Sequence, residues 1–311
     1  NFIIDNAVSF IPINALPEIP ERPEGYVIIG NGKTGMDACL WLLKNGVDPN
    51  EITWIVSRDA WLLDRQNTQT TDAFFEQTMG TLANQFEVAT KASSIQDLFQ
   101  RLEAVGALVR IDQTIQPQLF RGATVSQVEL KELRRIKNVI RLGRVQHLKT
   151  NQIILEKGTL PTSVNHIHVD CSASAISGKA PKPIFEEERI TPQFVRPYQP
   201  VFSASFIAYV ESNYEDLDRK NALCQVVPLP TTAESWIDMM LIQILNQATW
   251  QQDIKLLNWM LNNRLNAFGD FLKNLHESDK KRTAILERIR ENSFSALVNL
   301  KALSEQSKSS D

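Results

Sequence analysis

Little in this 311-residue chain points to chemistry by the usual side-chain routes. It has three cysteines, Cys39, Cys171 and Cys224, far apart and with no C-x-x-C among them. A sparse, odd set excludes a disulfide framework and a redox-active dithiol, and it fits a reducing, cytoplasmic setting. Of four histidines, His166 and His168 alternate on one predicted strand and share a face, but no cysteine or carboxylate accompanies them. No metal site is therefore expected. No run of about 18 apolar residues occurs, which excludes a spanning helix. The most apolar helical stretch, 236–245, is interrupted by Asp238 and Gln243. The formal net charge of −3 draws neither nucleic acid nor an anionic membrane. No Ser-His-Asp order and no working pair of carboxylates stands out. No secretory leader is visible, and the chain opens at Asn1 rather than methionine, so its first residues read as the tail of a preceding segment.

What is present is the composition of an ordinary globular protein, 43% apolar and 22% charged, with length for roughly two domains. Residues 1–22, with Pro12, Pro17 and Pro20, read as a proline-rich lead-in or linker. Tyr26–Ile29 is a short apolar run suited to a buried parallel strand. A glycine-rich turn follows, then a helix over about 34–44 with Met36, Cys39, Leu40 and Leu43 at helical spacing, stopped by Asn45-Gly46. Ile52–Val56 supplies a second strand, so strand, helix and strand imply a right-handed crossover in a parallel sheet. Residues 70–106 read as mostly helical, 108–111 as a further strand and 125–136 as an amphipathic helix. Residues 139–172 read as a β-meander with strands at 139–142, 144–148 and 153–156, followed by a return strand at 167–170. The stretch 177–230 is irregular, and 231–311 is helical, with a last helix over about 281–303 and a frayed end. The Trp and Met stripes beyond residue 231 suit a helical core. The fold expected is α/β: a Rossmann-type parallel sheet in residues 23–176, with a β-meander, and a C-terminal helical region.

One motif carries chemistry. Gly30-Asn31-Gly32-Lys33-Thr34-Gly35 matches G-x-G-x-x-G, with a strand before it, a helix opening on it and a second strand about 20 residues on. Gly30 permits the turn out of the strand, Gly32 lets backbone approach a pyrophosphate, and Gly35 lets the helix pack on the strand. The phosphates would rest on unpaired N–H groups at the helix start, where the dipole favours negative charge. Gly32-Lys33-Thr34 also looks like the end of a P-loop, but the glycine a P-loop needs five positions earlier is Val27, inside the strand, so an NTPase is set aside. The expected cofactor site comprises Gly30, Asn31, Gly32, Lys33, Thr34, Gly35, Ser57 and Arg58. Arg58, just past the second strand, suits the 2′-phosphate of NADP(H), while Asp59 beside it keeps NAD(H) open. Asp37 sits early in the helix as a dipole-favoured acid, and Cys171 reads as a buried structural thiol.

Over about residues 23–176 the sequence resembles the NAD(P)-binding domain of flavoproteins with two dinucleotide-binding domains, in the style of flavin-containing monooxygenases. The residues that carry the likeness are Gly35-Met36-Asp37-Ala38, Trp54-Ile55-Val56-Ser57-Arg58, and Asp170-Cys171-Ser172-Ala173 in place of an alanine-threonine-glycine turn. The resemblance implies an NADPH-binding part of a flavin-dependent oxidoreductase, with hydride passing from nicotinamide to FAD. It departs from the family in holding one glycine fingerprint rather than two, so FAD is expected only with a further N-terminal domain. The alternative is a non-catalytic NAD(P)-binding or partner-binding protein without flavin. No catalytic side chain is assigned, and the partners expected are the cofactor and a small substrate.

Overall fold

The first two strands past the lead-in, Gly25–Ile29 and Ile52–Ile55, follow directly from the apolar runs. Val27, Ile28, Ile52 and Trp54 are all essentially buried, as in strands covered on both faces. The computed structural model describes residues 2–173, 180–273, 275–276 and 278–308. It divides into two units, Asn1–Leu62 with Arg110–Ser177, and Leu63–Val109 with Gly178–Asp311.

The first unit is built on a five-stranded sheet in the order Phe10–Pro12, His166–Asp170, Gly25–Ile29, Ile52–Ile55, Val139–Ile140, parallel throughout. The crossover helix spans Lys33–Lys44 and buries Met36, Cys39, Leu42 and Leu43. Against the other face, Val27, Ile29 and Ile55 pack on Val145, Leu148, Ile153 and Leu155 of a second sheet. That sheet is the meander Val145–Leu148, Gln152–Leu155, Gly158–Pro161, extended by Ile3–Ile4 alongside its first strand. From Gly25–Ile29 the chain moves outward to Ile52–Ile55 and Val139–Ile140, then returns to lay His166–Asp170 on the opposite side. The reversal places a topological switch point between Gly25–Ile29 and His166–Asp170. The helix Gln127–Leu133 opens with a capping box, Ser126 and Glu129 each bonding the other's backbone.

The second unit is helical. Phe75–Lys91 lies along the long last helix, Lys280–Lys308. Arg288 pairs with Glu87 at 2.6 Å, and the Asn299 amide donates to the carbonyls of Ala89 and Ala92, both at 2.8 Å. Phe202, Phe206, Val210, Trp250, Leu256 and Met260 form one of its cores.

The α/β architecture with a parallel sheet, a meander and C-terminal helices agrees with the sequence reading. Several boundaries do not. The lead-in is not a free linker: Phe10–Pro12 forms the sheet edge, and Leu16 of the short 3-10 helix Ile13–Glu18 is 2% exposed. Pro12 is tolerated because it ends an edge strand. Val139–Ile140 belongs to the parallel sheet, and the third meander strand is the polar Gly158–Pro161, whose composition hid it. The strands Ala60–Asp64 and Leu119–Val125 were not expected. The segment 63–109 groups with the C-terminal helices rather than with residues 23–176, because Phe75, Ala83 and Ile285 share one core. The irregular stretch contains the helices Pro200–Asn213 and Leu217–Leu223. Their signal was weak because aromatic and β-branched residues fill the first helix on most sides, leaving no clear polar face. The last helix runs to Lys308, five residues beyond the expected end, and the remainder of the expected frayed end lies outside the described residues.

Candidate functional site

The glycine turn sits at the switch point, and close contacts dictate two of its three glycines, Gly30 and Gly35. Gly30 has φ 124°, and a β-carbon on it would lie 2.3 Å from the carbonyl oxygen of Cys171 at the end of the return strand. A β-carbon on Gly35 would lie 2.1 Å from the carbonyl oxygen of Gly30, so the helix is drawn against the turn as closely as backbone allows. Gly32 is different: a β-carbon there would meet nothing within 4 Å among the described residues. Gly32 is also the N-cap residue, and no side chain caps the helix. The first backbone N–H groups of the helix therefore have no side-chain acceptor among the described residues.

Two side chains brace the turn. The indole Nε1 of buried Trp54 donates to the Gly30 carbonyl at 2.8 Å. The Asn31 side chain, 8% exposed, donates its amide to the Arg58 carbonyl and so ties the turn to the end of the second strand. Asn31 thus has a positioning role in the turn. Lys33 does not point away freely; it pairs with Asp37 one helical turn on. Thr34, Ser57 and Arg58 make no side-chain hydrogen bond among the described residues, and Thr34 and Arg58 are exposed.

Past the second strand the electrostatics are uneven. Asp59 is held by both arms of the Arg141 fork, at 2.8 and 3.1 Å, and Arg141 also reaches Asp112 at 3.2 Å. The pairing takes up one acceptor position on each oxygen of the Asp59 carboxylate. Arg58 has different company. Arg121, on Leu119–Val125, is half-buried and pairs with no carboxylate among the described residues. Burial, and the positive charges of nearby Arg58 and Arg144, hold its pKa below the ordinary arginine value. The strand reaches this place because the Asp59 carbonyl accepts the N–H groups of Gln118 and Leu119, both at 3.1 Å. Sequence reading found Arg58 and missed Arg121 and Arg144, which lie far along the chain; the fold groups the three.

The remaining candidates have structural explanations. Thr162 Oγ1 lies 3.2 Å from His166 Nδ1 and 2.9 Å from His168 Nε2, so one hydroxyl bridges the pair. His168 Nδ1 lies 3.1 Å from the Ser9 carbonyl; because that oxygen can only accept, the ring is protonated at Nδ1. Burial pushes the pKa of His168 down. Among the described residues no cluster of three or more His, Cys, Asp or Glu could hold a metal. All three cysteines are buried and free, and burial lifts the Cys171 thiol to about 12, far from a reactive thiolate. Asp170 closes the turn after the return strand by accepting from the Ser172 backbone and hydroxyl, at 2.9 and 2.6 Å. No described helix is long and apolar enough to cross a membrane.

No protein-family model matches the chain. Two uncharacterized mycobacterial proteins are similar to it, Rv2000 of Mycobacterium tuberculosis and Mb2023 of Mycobacterium bovis, each 40% identical over 279 residues. The matched region is 90% of this chain and 52% of each relative, so the chain spans about half the length of the curated relatives it matches.

Proposed function

We propose that the first unit binds NADPH, with the diphosphate over Gly32 and the start of the helix Lys33–Lys44, and the 2′-phosphate among Arg58, Arg121 and Arg144. The observation that carries the reading is the uncapped helix start at the switch point, with open space above Gly32 where every other fingerprint glycine is tightly packed. Backbone donors there suit a diphosphate, and the helix dipole adds to them. The arginine group supports NADPH over NADH: Arg58 and Arg144 lie near enough to Arg121 to depress its pKa, no carboxylate pairs with Arg121 among the described residues, and Asp59 is bound by Arg141. NADPH would supply a hydride donor. The chain's own residues hold and orient it: Trp54 and Asn31 fix the turn, and Gly30 and Gly35 set the distance between helix and sheet.

A flavin acceptor is the larger proposal, and it rests on the resemblance alone. The one glycine cradle in the chain is assigned to NADPH, so no residue is assigned to FAD. The first test is a titration of the chain with NADPH and NADH by calorimetry. NADPH is expected to bind, more tightly than NADH by about tenfold or more, as a charged hydrogen bond warrants; no binding of either overturns the reading. The flavin proposal is tested on the full-length protein, by absorbance at roughly 450 nm, where a bound flavin absorbs, and by NADPH consumption. A colourless protein that consumes no NADPH retires it and leaves a nucleotide-binding module.

A further inference from the structure

The second unit contains a buried cation with no carboxylate against it among the described residues. Arg196 is 8% exposed. Its guanidinium lies 3.9 Å from the ring centre of Phe202, with Trp250 at 5.4 Å and Phe268 at 5.7 Å. Among the described residues only Nη1 is hydrogen-bonded, to Asn266 Oδ1 at 2.7 Å and Gln199 Oε1 at 3.4 Å, both neutral. No carboxylate approaches it among the described residues, and burial drags its pKa down to about 9. A buried charge without a counter-ion is among the most unfavourable arrangements a fold can hold, and aromatic faces offset it in part. Nε and Nη2 have no protein acceptor among the described residues.

The same turn of chain adds a second positive feature. Gln199, which accepts from Arg196, is the N-cap residue of Pro200–Asn213, and no side chain caps that helix. Pro200 has no N–H, so the amides of Val201 and Phe202 are left without intrahelical partners. Phe202, whose ring the guanidinium covers, stands in this first turn. A cation beside a helix N-terminus opposes the dipole, so the fold has put like charges together with no carboxylate between them among the described residues. Tyr198, between Arg196 and the cap, is held at φ 59°, a conformation unusual for a tyrosine.

We propose that Arg196 and the first turn of Pro200–Asn213 form a binding site for an oxyanion, a carboxylate or phosphate group on a small ligand, received on the Nε and Nη2 edge of the guanidinium. That edge presents two parallel donors at the spacing of two oxygens on one carbon or phosphorus. The aromatic floor of Phe202, Trp250 and Phe268 lowers the local dielectric and strengthens the pairing. The site lies in the second unit and does not depend on the nucleotide reading of the first.

The test uses the full chain, with inorganic phosphate and acetate as separate probes against chloride at matched ionic strength. Intrinsic tryptophan fluorescence, to which Trp250 contributes beside the cation, and the unfolding midpoint are both read. A saturable change with at least one probe is expected, and which probe acts distinguishes phosphate from carboxylate. In Arg196→Lys, which keeps the charge and loses the fork, affinity is expected to fall about tenfold or more. Should that variant not fold, hydrogen exchange on the wild-type chain decides: the probe slows exchange across residues 196–203. No saturable response to either probe, an undiminished response in folded Arg196→Lys, or protection elsewhere but not at 196–203 overturns the proposal.

Discussion

Replacing Gly32 with alanine separates the fold from its proposed ligand. Gly32 has φ −75° and ψ −177°, extended backbone that any residue adopts, so the substitution introduces no strain. The added β-carbon meets nothing within 4 Å among the described residues. Two small effects on stability oppose each other. Alanine is a poorer N-cap than glycine, by up to about 1 kcal/mol, whereas loss of glycine's freedom in the unfolded chain returns about 0.4–1 kcal/mol. The net change in unfolding free energy is expected to be near zero. Binding should respond differently, because the methyl group stands where a diphosphate would touch backbone. Overpacking of that kind costs about 1–3 kcal/mol, or roughly 5- to 150-fold in Kd for NADPH. Gly35→Ala is the control. Its β-carbon would lie 2.1 Å from the Gly30 carbonyl oxygen, which must retreat by about 0.9 Å to reach 3.0 Å, straining its bond from Trp54. That variant should lose about 1–3 kcal/mol of stability. Urea denaturation and NADPH calorimetry on both variants supply the readouts. A Gly32→Ala protein that folds normally and binds NADPH as wild type does would refute the reasoning, since the open space would then have no part in binding.

Arg58→Ala and Arg121→Met should each weaken NADPH by about 1.5–3 kcal/mol and leave NADH nearly unchanged, measured by calorimetry with both nucleotides; equal losses for the two would remove the 2′-phosphate role. His168 is buried with its pKa held down, so the folded state resists a proton that the unfolded state accepts below about pH 6.5. Its contribution is present above that pH and lost as pH falls towards the lowered value. Wild type should lose stability across this window at a rate approaching about 1.4 kcal/mol per pH unit, and His168→Gln should lose less; parallel pH profiles for the two would contradict it. Asn299→Ala leaves the Ala89 and Ala92 carbonyls without their donor and should destabilise the second unit by about 1–3 kcal/mol in thermal or urea unfolding. An unchanged midpoint would mean that water replaces the amide without loss.

The βαβ unit was legible because its elements are consecutive and each carries its own local signal. An apolar run makes a strand, a 3.6-residue spacing makes a helix, and glycine marks the turn between them. The environment of the site was not legible, because it depends on pairings between distant positions. Arg141 reaches Asp59 across 82 positions, and Trp54 braces Gly30 across 24. Arg121 carries no local signal of its own; the Asp59 carbonyl anchors its strand near Arg58. Gly158–Pro161 was missed because a meander's outer strand can be polar when only one of its faces meets a core.

The amino-acid sequence alone determined the parallel βαβ unit and the order of glycines between Ile29 and Met36, since backbone sterics and hydrophobic periodicity act over a few residues. Only the tertiary structure decided that Gly30 abuts Cys171, that Asp59 is already paired, that the lead-in completes the sheet edge, and that residues 63–109 group with the C-terminal helices. These are outcomes of packing between segments remote in sequence. No local pattern specifies them, because many partners would satisfy the same apolar face or the same charge.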